Sequence, residues 1–444
     1  MGWGQRVGLA VLLVCGVTAF AADGDPDPTF SGDGLATTTW PNSISSVRVA
    51  VAADGSVFHA STVQVDIEDG ANLDFAVAKF RANGTLDTSF GFLGRRIVGV
   101  DVFADGDDSL LGVFPLPDGS VLLAGVADLD PATHTYAAPA LVRLTPQGNV
   151  DTTFGVNGRV VMTTTPWANT EYLELSAVVR QADGKLVFAG DCWICAGETR
   201  AVAVRVTAAG ALDTGFGTAG WFQTLADGVT VGAVALDARD RLVLGGVKEP
   251  EDEPYDRPWL ARITAAGTLD ATFGGGTGVS WLSQVPTFNN DWRTRGMAID
   301  REGSIVLALG NGAGAIVRAN ANGSLDTTFA SNGFRSMERE NGSDMAAVAI
   351  RSDRRILVAG YIRHTGGGLD HYIGRLLPNG SFDTSFDANG VIRIEAVPGE
   401  NDSAKAIAFS GGRPVIAGHG GADYDVATVV VLQSNQIFVG TFEP

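Results

Sequence analysis

The sequence is poor in positive charge. Its 444 residues include 31 Lys and Arg against 50 Asp and Glu, which gives a formal net charge of −19, and only 18% of residues are charged. A surface with this balance repels nucleic-acid phosphates and anionic lipid headgroups, so it argues against nucleic-acid binding. The same balance suits a soluble protein or one that attracts cations.

Long apolar runs are absent after the N-terminus, so no membrane span is predicted in the mature chain. At the N-terminus, Arg6 precedes an apolar run over residues 9–20, and residues 19–21 have the small-x-small pattern that a signal peptidase recognises. We expect residues 1–21 to be a signal peptide and the protein to be secreted or periplasmic. Cys15 lies in the run, but the valine before it is too large for a lipoprotein signal.

Cysteine is scarce, and removal of the signal leaves only Cys192 and Cys195. An exported chain with two cysteines usually oxidises them to one another, so we predict a disulfide between them. The Cys-x-x-Cys spacing also occurs in redox enzymes, but there the first cysteine opens a helix, and here it follows a predicted strand. A zinc site would need two more ligands.

The chain has no helical periodicity outside the signal, but it does contain a repeated phrase. The phrase over residues 83–91, Asn-Gly-Thr-Leu-Asp-Thr-Ser-Phe-Gly, returns in altered form along the chain, and its phenylalanines follow one another at spacings of 60, 64, 62, 57, 56 and 57 residues. Repeats of this period are typical of propellers and solenoids. The recurring residues are Asp27, Asp87, Asp151, Asp213, Asp270, Asp326 and Asp383, and Phe30, Phe90, Phe154, Phe216, Phe273, Phe329 and Phe386.

A turn dipeptide stands midway in each copy, as in Asp54-Gly55 and Asp183-Gly184. Because a turn between two short apolar runs is a β-hairpin signal, each copy is interpreted as four short strands. Radial repetition of such sheets predicts an all-β fold, a seven-bladed β-propeller of four-stranded antiparallel blades. A parallel β-helix is the alternative, but its repeats are shorter and lack antiparallel hairpins.

A single β-propeller domain over residues 22–444 follows from the repeats. We expect each blade to open with the strand after the closing glycine of the phrase, as at residues 159–162. Residues 435–442 match a decayed eighth phrase, which favours closure of the ring near the N-terminus. The repeats are placed at approximately 27–86, 87–150, 151–212, 213–269, 270–325, 326–382 and 383–444.

The motif residues are expected to be structural. Asp87 is able to accept hydrogen bonds from the amides that follow it and fix an Asx turn, and Phe90 is expected to fill the gap between blades. A repeated cation site at the aspartates is the alternative, but a specific site would use one or two copies. A cation about eight residues before the aspartate is expected to pair with it or with backbone carbonyls. These cations are Lys79, Arg143, Arg205, Arg262, Arg318 and Arg375, with Val431 at that position in the seventh copy.

The phrase Leu-Asp-Thr-Ser-Phe-Gly-x-x-Gly over residues 86–94, at this period, resembles the bacterial delta-60 repeat family. The resemblance covers essentially the whole mature chain. It implies a secreted or surface β-propeller and no defined activity, cofactor or substrate, so no functional residue is carried over from it.

One face of the ring is expected to vary between copies. The turn between strands two and three shares a face with the link from strand four onward, and both segments repeat faithfully. The other connections emerge on the opposite face, and loops on a rigid scaffold carry function. Aromatic residues there suit sugar stacking or a protein partner, whereas the interpretation favoured for any single one of them is that it covers its own loop. The ligand-binding candidates are Trp40, Trp167, Tyr172, Trp193, Tyr255 and Trp292.

Acidic runs on the same face, such as residues 105–108 and 249–253, offer oxygen ligands for calcium, but none has the spacing of an EF-hand or nonapeptide site. No cofactor or metal is therefore predicted, with calcium as the alternative. His364, His371 and His419 fall in neighbouring copies and form an alternative metal or catalytic cluster.

Phosphate-loop, nucleophile-elbow and zinc-protease motifs are absent. The sequence therefore favours an exported, non-catalytic binding or interaction scaffold, with a protein or carbohydrate partner at its variable face, over an enzyme. The first alternative is a polysaccharide-active enzyme, a hydrolase or lyase with carboxylates at the channel mouth. The second is a structural surface protein with no small ligand.

Overall fold

The computed structural model of the protein describes residues 23–66, 72–100, 102, 106–129, 137–163, 172–195, 198–224, 228–248, 256–285, 293–311, 314–337, 342–363 and 367–434. The predicted signal peptide lies outside these residues and stays a prediction. In the described part the only helical element is a 3-10 turn, Gly274–Gly276. The strands are β1 (Leu35–Thr39), β2 (Ile44–Val51), β3 (Val57–Asp66), β4 (Asn72–Phe80), β5 (Arg95–Val98), β6 (Asp108–Pro115), β7 (Val121–Asp128), β8 (Ala137–Leu144), β9 (Arg159–Val161), β10 (Tyr172–Arg180), β11 (Leu186–Cys195), β12 (Glu198–Val206), β13 (Trp221–Gln223), β14 (Val229–Leu236), β15 (Leu242–Lys248), β16 (Arg257–Ile263), β17 (Val279–Trp281), β18 (Arg293–Ile299), β19 (Ile305–Gly310), β20 (Ala315–Ala319), β21 (Phe334–Ser336), β22 (Ser343–Ile350), β23 (Ile356–Arg363), β24 (Leu369–Leu376), β25 (Val391–Ile394), β26 (Ser403–Ser410), β27 (Arg413–Gly420) and β28 (Val426–Val431).

These strands form seven four-stranded antiparallel sheets in the described part of the chain, which confirms the predicted propeller. Blade I is β2–β5, blade II β6–β9, blade III β10–β13, blade IV β14–β17, blade V β18–β21 and blade VI β22–β25. Blade VII is β26–β28 completed by β1. The first strands of successive blades contact one another from β2 round to β26 and back to β2. The ring is therefore closed around a central axis.

The predicted start of each blade is wrong by one strand. The strand after the closing glycine, such as β9, is the outermost strand of the blade already begun, and the motif phrase is the link between the third and fourth strands of one blade. The repeat period fixes the number of strands but does not show where the hydrogen-bonded ladder breaks. As a consequence β1, which follows the first phrase, pairs with β28 and joins the two ends of the chain.

Apolar side chains bury themselves between blades. Each of the seven clusters of buried apolar residues in the described part draws its members from two adjacent blades. Phe90 is 1% exposed and lies in the cluster that blade I forms with blade II, as predicted for the motif phenylalanines. Burial of such a side chain contributes about 1.5–3 kcal/mol, so the interfaces hold the ring together.

The two faces of the ring follow from strand direction. The turn from first to second strand and the link from third to fourth strand emerge on one face, called here the motif face. Gly94 closes one such link at a φ of 90°, where a Cβ would also approach Leu86 to 2.4 Å, so glycine is required there. The other connections emerge on the opposite, variable face.

The inner strands begin at the variable face, and each carries a β-bulge in its pairing with the second strand, throughout the described part. A bulge re-aims one side chain, and bulges are common beside active sites. The residues at the bulges are Ser46 with Val47, Leu111, Ser176, Gly232, Arg295, Ala346 and Lys405.

Candidate functional site

The motif face is a repeated structural joint. In every copy, Oδ1 of the motif aspartate accepts a hydrogen bond from the amide two residues later, at 2.9–3.3 Å. Burial opposes ionisation of Asp270, but hydrogen bonds from Thr272 and Arg262 outweigh it and lower its pKa to about 2. These carboxylates are charged and fully engaged, so they are not free to bind a ligand.

The expected pairing of third-strand cations with the motif carboxylates is confirmed in blades I–VI. The nitrogen–oxygen distances are 2.5–3.3 Å. Each cation also lies over the motif phenylalanine, 4.5–6.0 Å from the ring centroid. Blade VII, with Val431 at that position, uses Arg413 from its second strand, 2.5 Å from Asp27.

Neighbouring blades are tied together through the same residues. Nη1 of Arg205 donates to the carbonyl of Ala265 in the next blade at 2.7 Å, and Nη1 of Arg262 donates to that of Ala321 at 2.6 Å. Each of these guanidinium groups therefore bonds a carboxylate, stacks on a ring and links two blades, as expected of a structural residue.

The predicted aromatic candidates separate in the structure. Trp40 is 4% exposed and packs in the cluster between blades VII and I, so its prediction as a ligand-binding residue is wrong: its ring stabilises the core. Trp167, Tyr255, Trp292 and the side chain of Tyr172 lie outside the described residues, so they stay predictions.

Trp193 is the predicted aromatic that the structure places at the surface, with 48% of its side chain exposed. Its Nε1 donates to Oδ2 of Asp191 at 2.7 Å, and Oδ1 of Asp191 accepts from the Val231 amide of blade IV at 3.2 Å. The indole is thus both exposed and fixed in orientation. Cys192, between these two residues, is buried; its predicted disulfide with Cys195 stays a prediction, since the Cys195 side chain lies outside the described part.

A polar cluster, called here the mouth cluster, lies at the variable-face end of blades V–VII. Arg295 and Lys405 occupy equivalent bulges of the inner strands in blades V and VII, and Asp344 lies on the inner strand of the blade between them. Tyr361 pairs across the strands with Asp344 on one side and His371 on the other. The members of the mouth cluster are Arg295, Asp344, Tyr361, Arg363, Lys405, His419 and Tyr424.

The charged members of the mouth cluster lie close enough to shift one another's pKa values. Burial, then the positive charge of Arg295, lowers the pKa of Lys405, while Asp344 opposes the change. Burial, then Asp344, raises the pKa of Tyr361, and Arg363 and Arg295 act against it. At neutral pH the cluster therefore combines arginine guanidinium groups with a phenol that keeps its proton.

His419 supplies a neutral base beside these groups. Burial, then Lys405, lowers the pKa of His419 to about 3, so the imidazole is unprotonated at neutral pH. Its ring meets that of Tyr424 edge to face, with centroids 4.9 Å apart. Tyr424 has a φ of 55°, a conformation that costs free energy in a side-chain-bearing residue and is found at functional sites.

Two further histidines lie behind His419. His371 belongs to blade VI, and its Nε2 is 3.2 Å from Oγ1 of Thr428 in blade VII. His59 of blade I donates from Nε2 to the Gly418 carbonyl of blade VII at 2.9 Å. Both are fully buried, and burial lowers their pKa values to about 3 and about 4. Adjacent blades thus bring His371 and His419 together as the sequence suggested, and His59, which the sequence did not single out, joins them.

The described residues form no group of three or more His, Cys, Asp or Glu that is able to hold a metal ion. His364 and most of the acidic runs considered for calcium lie outside the described part of the chain. Calcium therefore remains an untested alternative.

Carboxylates near the mouth cluster serve the loops. Asp402 is fully buried, and its Oδ2 accepts from the amides of Ala396 and Val397 at 2.7 and 2.9 Å. Burial, against these hydrogen bonds, raises its pKa to about 6, with a further contribution from Asp370. Asp370 is 1% exposed and bonds Arg393. Neither carboxylate is accessible to a polymer, so this pair does not have the open arrangement of glycosidase carboxylates.

Sequence reasoning missed the members of the mouth cluster other than His419. Arg295 and Lys405 come together only because blades V and VII flank blade VI, and the bulges that re-aim them leave no mark in the sequence. A usable signal does exist, since the equivalent positions elsewhere in the ring carry no charge. A cation at such a position breaks the repeat pattern.

In the described part, no helix is both long and apolar enough to cross a membrane.

The mouth of the ring on the variable face is the candidate active site, because it brings cation, phenol and imidazole groups together. Trp193 lies on the same face, in blade III.

Comparisons with known proteins agree with this architecture. Five segments match the model of a family described as "domain of unknown function (DUF5122) beta-propeller", over residues 53–90, 116–154, 181–216, 303–329 and 351–386. Each segment ends at a motif phenylalanine, and the match supports a β-propeller family for the chain. None of the curated proteins matches the sequence.

Solved structures share the fold at low identity. An ulvan lyase of a new polysaccharide lyase family, bound to a GlcA(1-4)Rha3S fragment, has a TM-score of 0.51 at 10% identity, over 93% of this chain and 95% of that one. The polysaccharide lyase Uly1 has a TM-score of 0.49 at 10% identity, over 89% and 90% of the two chains. A sialidase of Trypanosoma rangeli bound to the inhibitor DANA has a TM-score of 0.41 at 12% identity, over 88% and 55%.

The similarity to the ulvan lyase corrects the prediction of a non-catalytic scaffold. The ulvan lyase matches the fold over nearly the whole of both chains, and it is an enzyme that acts on a polysaccharide. The comparison therefore favours the enzymatic alternative over the scaffold. The scaffold prediction rested on missing sequence motifs, whereas a site assembled from several blades leaves no contiguous motif.

Proposed function

We propose that the protein is a polysaccharide-active enzyme of the lyase type, acting at the mouth cluster on a polymer whose sugars carry carboxylates. The observation that carries the proposal is the presence of two cations at equivalent inner positions, Arg295 and Lys405, beside a protonated phenol and a neutral imidazole. The fold is compatible with this activity, since a polysaccharide lyase has it.

The chemistry requires these three kinds of group. In the elimination, a base removes the proton from the carbon that bears the sugar carboxylate. The electron pair forms a carbon–carbon double bond, and the glycosidic oxygen leaves and takes up a proton. Cations that bind the carboxylate stabilise the negative charge that develops on it.

The charge and protonation state of each group in the mouth cluster indicate its role in the elimination. Arg295 and Lys405 bind the carboxylate of the substrate, and their placement on a protein of net charge −19 provides local attraction for an acidic chain. His419 accepts the proton, because it is the neutral base of the mouth cluster. The carboxylate of a bound substrate is expected to raise the pKa of this imidazole toward the working pH, where it is an effective base. Tyr361 donates a proton to the leaving oxygen, because its raised pKa keeps the phenol protonated.

A hydrolase is the second candidate, but the geometry favours it less. Retaining and inverting glycosidases use two accessible carboxyl groups on either side of the bond. In the described part of the mouth, Asp370 and Asp402 are almost fully buried and bound within their own loops. Elimination needs no such pair.

The test is an assay of product chemistry. The purified chain is incubated with ulvan, polygalacturonate, alginate and, as a neutral control, dextran. Elimination gives an unsaturated product that absorbs ultraviolet light together with a new reducing end, whereas hydrolysis gives the reducing end alone. We expect absorbance from at least one acidic polymer and none from dextran. Below the KM for the polymer, we expect the absorbance to rise more slowly in Arg295→Ala and Lys405→Ala than in wild type, and at the wild-type rate in Arg239→Ala on the motif face. Reducing ends without absorbance would assign a hydrolase, and no cleavage of any polymer would refute the proposal.

Location and family are part of the same proposal. The N-terminal sequence supports export to the periplasm or the cell exterior, where polysaccharides are met. The spaced Leu-Asp-Thr-Ser-Phe-Gly phrase supports membership of the delta-60 repeat proteins. Fractionation of the source cells, with N-terminal sequencing of the exported chain, tests both export and cleavage after residue 21.

A further inference from the structure

Two buried histidines from neighbouring blades contact the strand that carries His419. His59 of blade I donates from Nε2 to the carbonyl of Gly418 at 2.9 Å. From blade VI, Nε2 of His371 lies 3.0 Å from where a Cβ on Gly418 would stand. The same nitrogen is 3.2 Å from Oγ1 of Thr428, which pairs with Gly418 on the adjacent strand. The residue directly before His419 is therefore held by both neighbouring blades.

Both histidines stand at positions that are apolar elsewhere in the ring. The pairing of first and second strands next to the bulge aligns His59 with the buried residues Leu123, Phe188, Leu244, Leu307, Val358 and Ile416. His371 aligns in the same way with Phe75, Pro139, Ala201, Pro258 and Ala427, in the blades whose pairing extends that far. Because an apolar side chain packs this position in six blades, packing alone does not require a histidine in blade I.

His419 is the next residue along β27, so its imidazole is carried by the backbone that these two histidines hold. Burial, then Lys405, and then His371 and His59 lower the pKa of His419 to about 3, so both imidazoles lie close enough to influence its protonation. A base has to be held in its productive position, because a displacement of about 1 Å is able to lower a rate about a hundredfold.

We propose that His59 is a positioning residue for the elimination: it fixes β27 through the Gly418 carbonyl and so orients the imidazole of His419, while His371 supports the same segment from blade VI. This inference rests on the proposed function for the role of His419 as the base. His59 is fully buried, so it acts through His419 and does not touch the substrate.

The test compares variants at position 59 in the full chain, with ulvan, polygalacturonate and alginate as polymers. His59→Leu inserts the residue that blades II, IV and V carry at this position, so the ring is expected to fold, but the hydrogen bond to Gly418 is lost. We expect kcat for formation of the unsaturated product to fall about tenfold. KM is expected to stay unchanged, because Arg295 and Lys405 still bind the substrate carboxylate. His59→Gln keeps a side-chain N–H donor and is expected to recover part of the lost kcat.

Leu123→Ala is the matched control. Leu123 is the buried equivalent of His59 in blade II and packs between blades I and II. Its truncation is expected to lower the thermal stability of the ring and to leave kcat per folded molecule unchanged. The positioning role is overturned if kcat falls equally in Leu123→Ala and His59→Leu, which would be a general effect of packing, or if His59→Leu keeps the wild-type kcat.

A measurement on the free protein separates this inference from the proposed function. The chain has five histidines, so NMR of protein labelled with carbon-13 at histidine Cε1 gives few ring signals, and His419→Gln identifies that of His419. We expect His59→Leu to shift the His419 signal, His59→Gln to restore part of the shift and Leu123→Ala to leave the signal unchanged. An unshifted signal in His59→Leu would overturn the positioning role. A shifted signal in a protein that yields no unsaturated product would refute the proposed function alone.

Discussion

The motif face and the variable face of this ring differ in how their charges are used. On the motif face, Asp270 bonds an amide and Arg262 at 2.9 and 2.8 Å, and equivalents recur in the other blades. At the mouth, Arg295 and Lys405 occur in two blades only, on bulges whose equivalents carry no charge. Repetition marks residues that every blade needs, and a break in repetition marks residues that one place in the ring needs.

The largest effect is expected from breaking a joint of the motif face. Asp270→Ala leaves the guanidinium of Arg262, 5% exposed, without its carboxylate. Loss of one partner of a buried pair costs about 3–5 kcal/mol, so the free energy of unfolding is expected to fall by that amount in urea titrations. Activity per folded molecule is expected to stay unchanged.

Asp183→Ala is the matched control for this change. Asp183 pairs with Lys185 in a turn of the same face, but its side chain is 52% exposed, and exposed pairs contribute under about 1 kcal/mol. If Asp183→Ala and Asp270→Ala lowered the free energy of unfolding equally, the motif carboxylate would stabilise the fold no more than an exposed ion pair does.

The next effect concerns activity at the variable face. Tyr361→Phe removes the phenolic proton donor and keeps the ring, so kcat is expected to fall by about a hundredfold or more. The free energy of unfolding is expected to stay close to wild type, since Tyr361 is only partly buried. A variant with wild-type kcat would remove Tyr361 from the proposed chemistry.

Acid is expected to weaken the boundaries of blade VII. The pKa values of His59, His371 and His419 are lowered by burial to about 4, 3 and 3 from 6.5. Between pH 6.5 and 4 the unfolded chain therefore takes up protons that the folded chain does not, so stability is full above pH 6.5 and falls as the pH drops. Each histidine contributes about 1.4 kcal/mol per pH unit in that window.

Urea unfolding between pH 7 and pH 5 measures this slope. His59→Gln is expected to reduce this slope by one proton, because it removes one of the three buried imidazoles. A slope that His59→Gln does not change would mean that this imidazole is not buried in its neutral form.

The smallest effect is expected in substrate affinity. Arg295→Ala removes one of two cations for the substrate carboxylate, and a charged hydrogen bond contributes about 1.5–3 kcal/mol, so KM is expected to rise about tenfold. Added salt is expected to raise the KM of wild type more than that of the variant, because screening weakens the interaction that the variant lacks. A KM that rises equally in Arg239→Ala would indicate a general effect of charge.

Much of the fold was predictable from the sequence, because repetition reports architecture. The spacing of Phe90, Phe154 and their equivalents predicted seven blades, and the alternation of turns and apolar runs predicted four strands in each. The start of the blade was not predictable. Residues 159–162 form a strand whether they begin one blade or end the blade before it. Only the hydrogen bonds between β8 and β9 show that β9 ends blade II.

The site was far less predictable, because it depends on which blades become neighbours. The variable face was predicted from strand direction alone, and Trp193 was among its candidates. Arg295, Tyr361 and Lys405 were not, since they are more than a hundred residues apart from first to last and meet only in the closed ring. Trp40 was assigned to a ligand because an aromatic in a predicted loop looks the same whether its ring is exposed or buried.

The central claim, that the repeats build the ring and the irregular residues at blades V–VII act on an acidic polymer, is tested most directly by a crystal structure. The Tyr361→Phe variant, soaked with an acidic oligosaccharide released from ulvan or polygalacturonate, is expected to hold a sugar carboxylate between Arg295 and Lys405. An oligosaccharide bound on the motif face, or a mouth that stays empty at saturating concentrations, would contradict it.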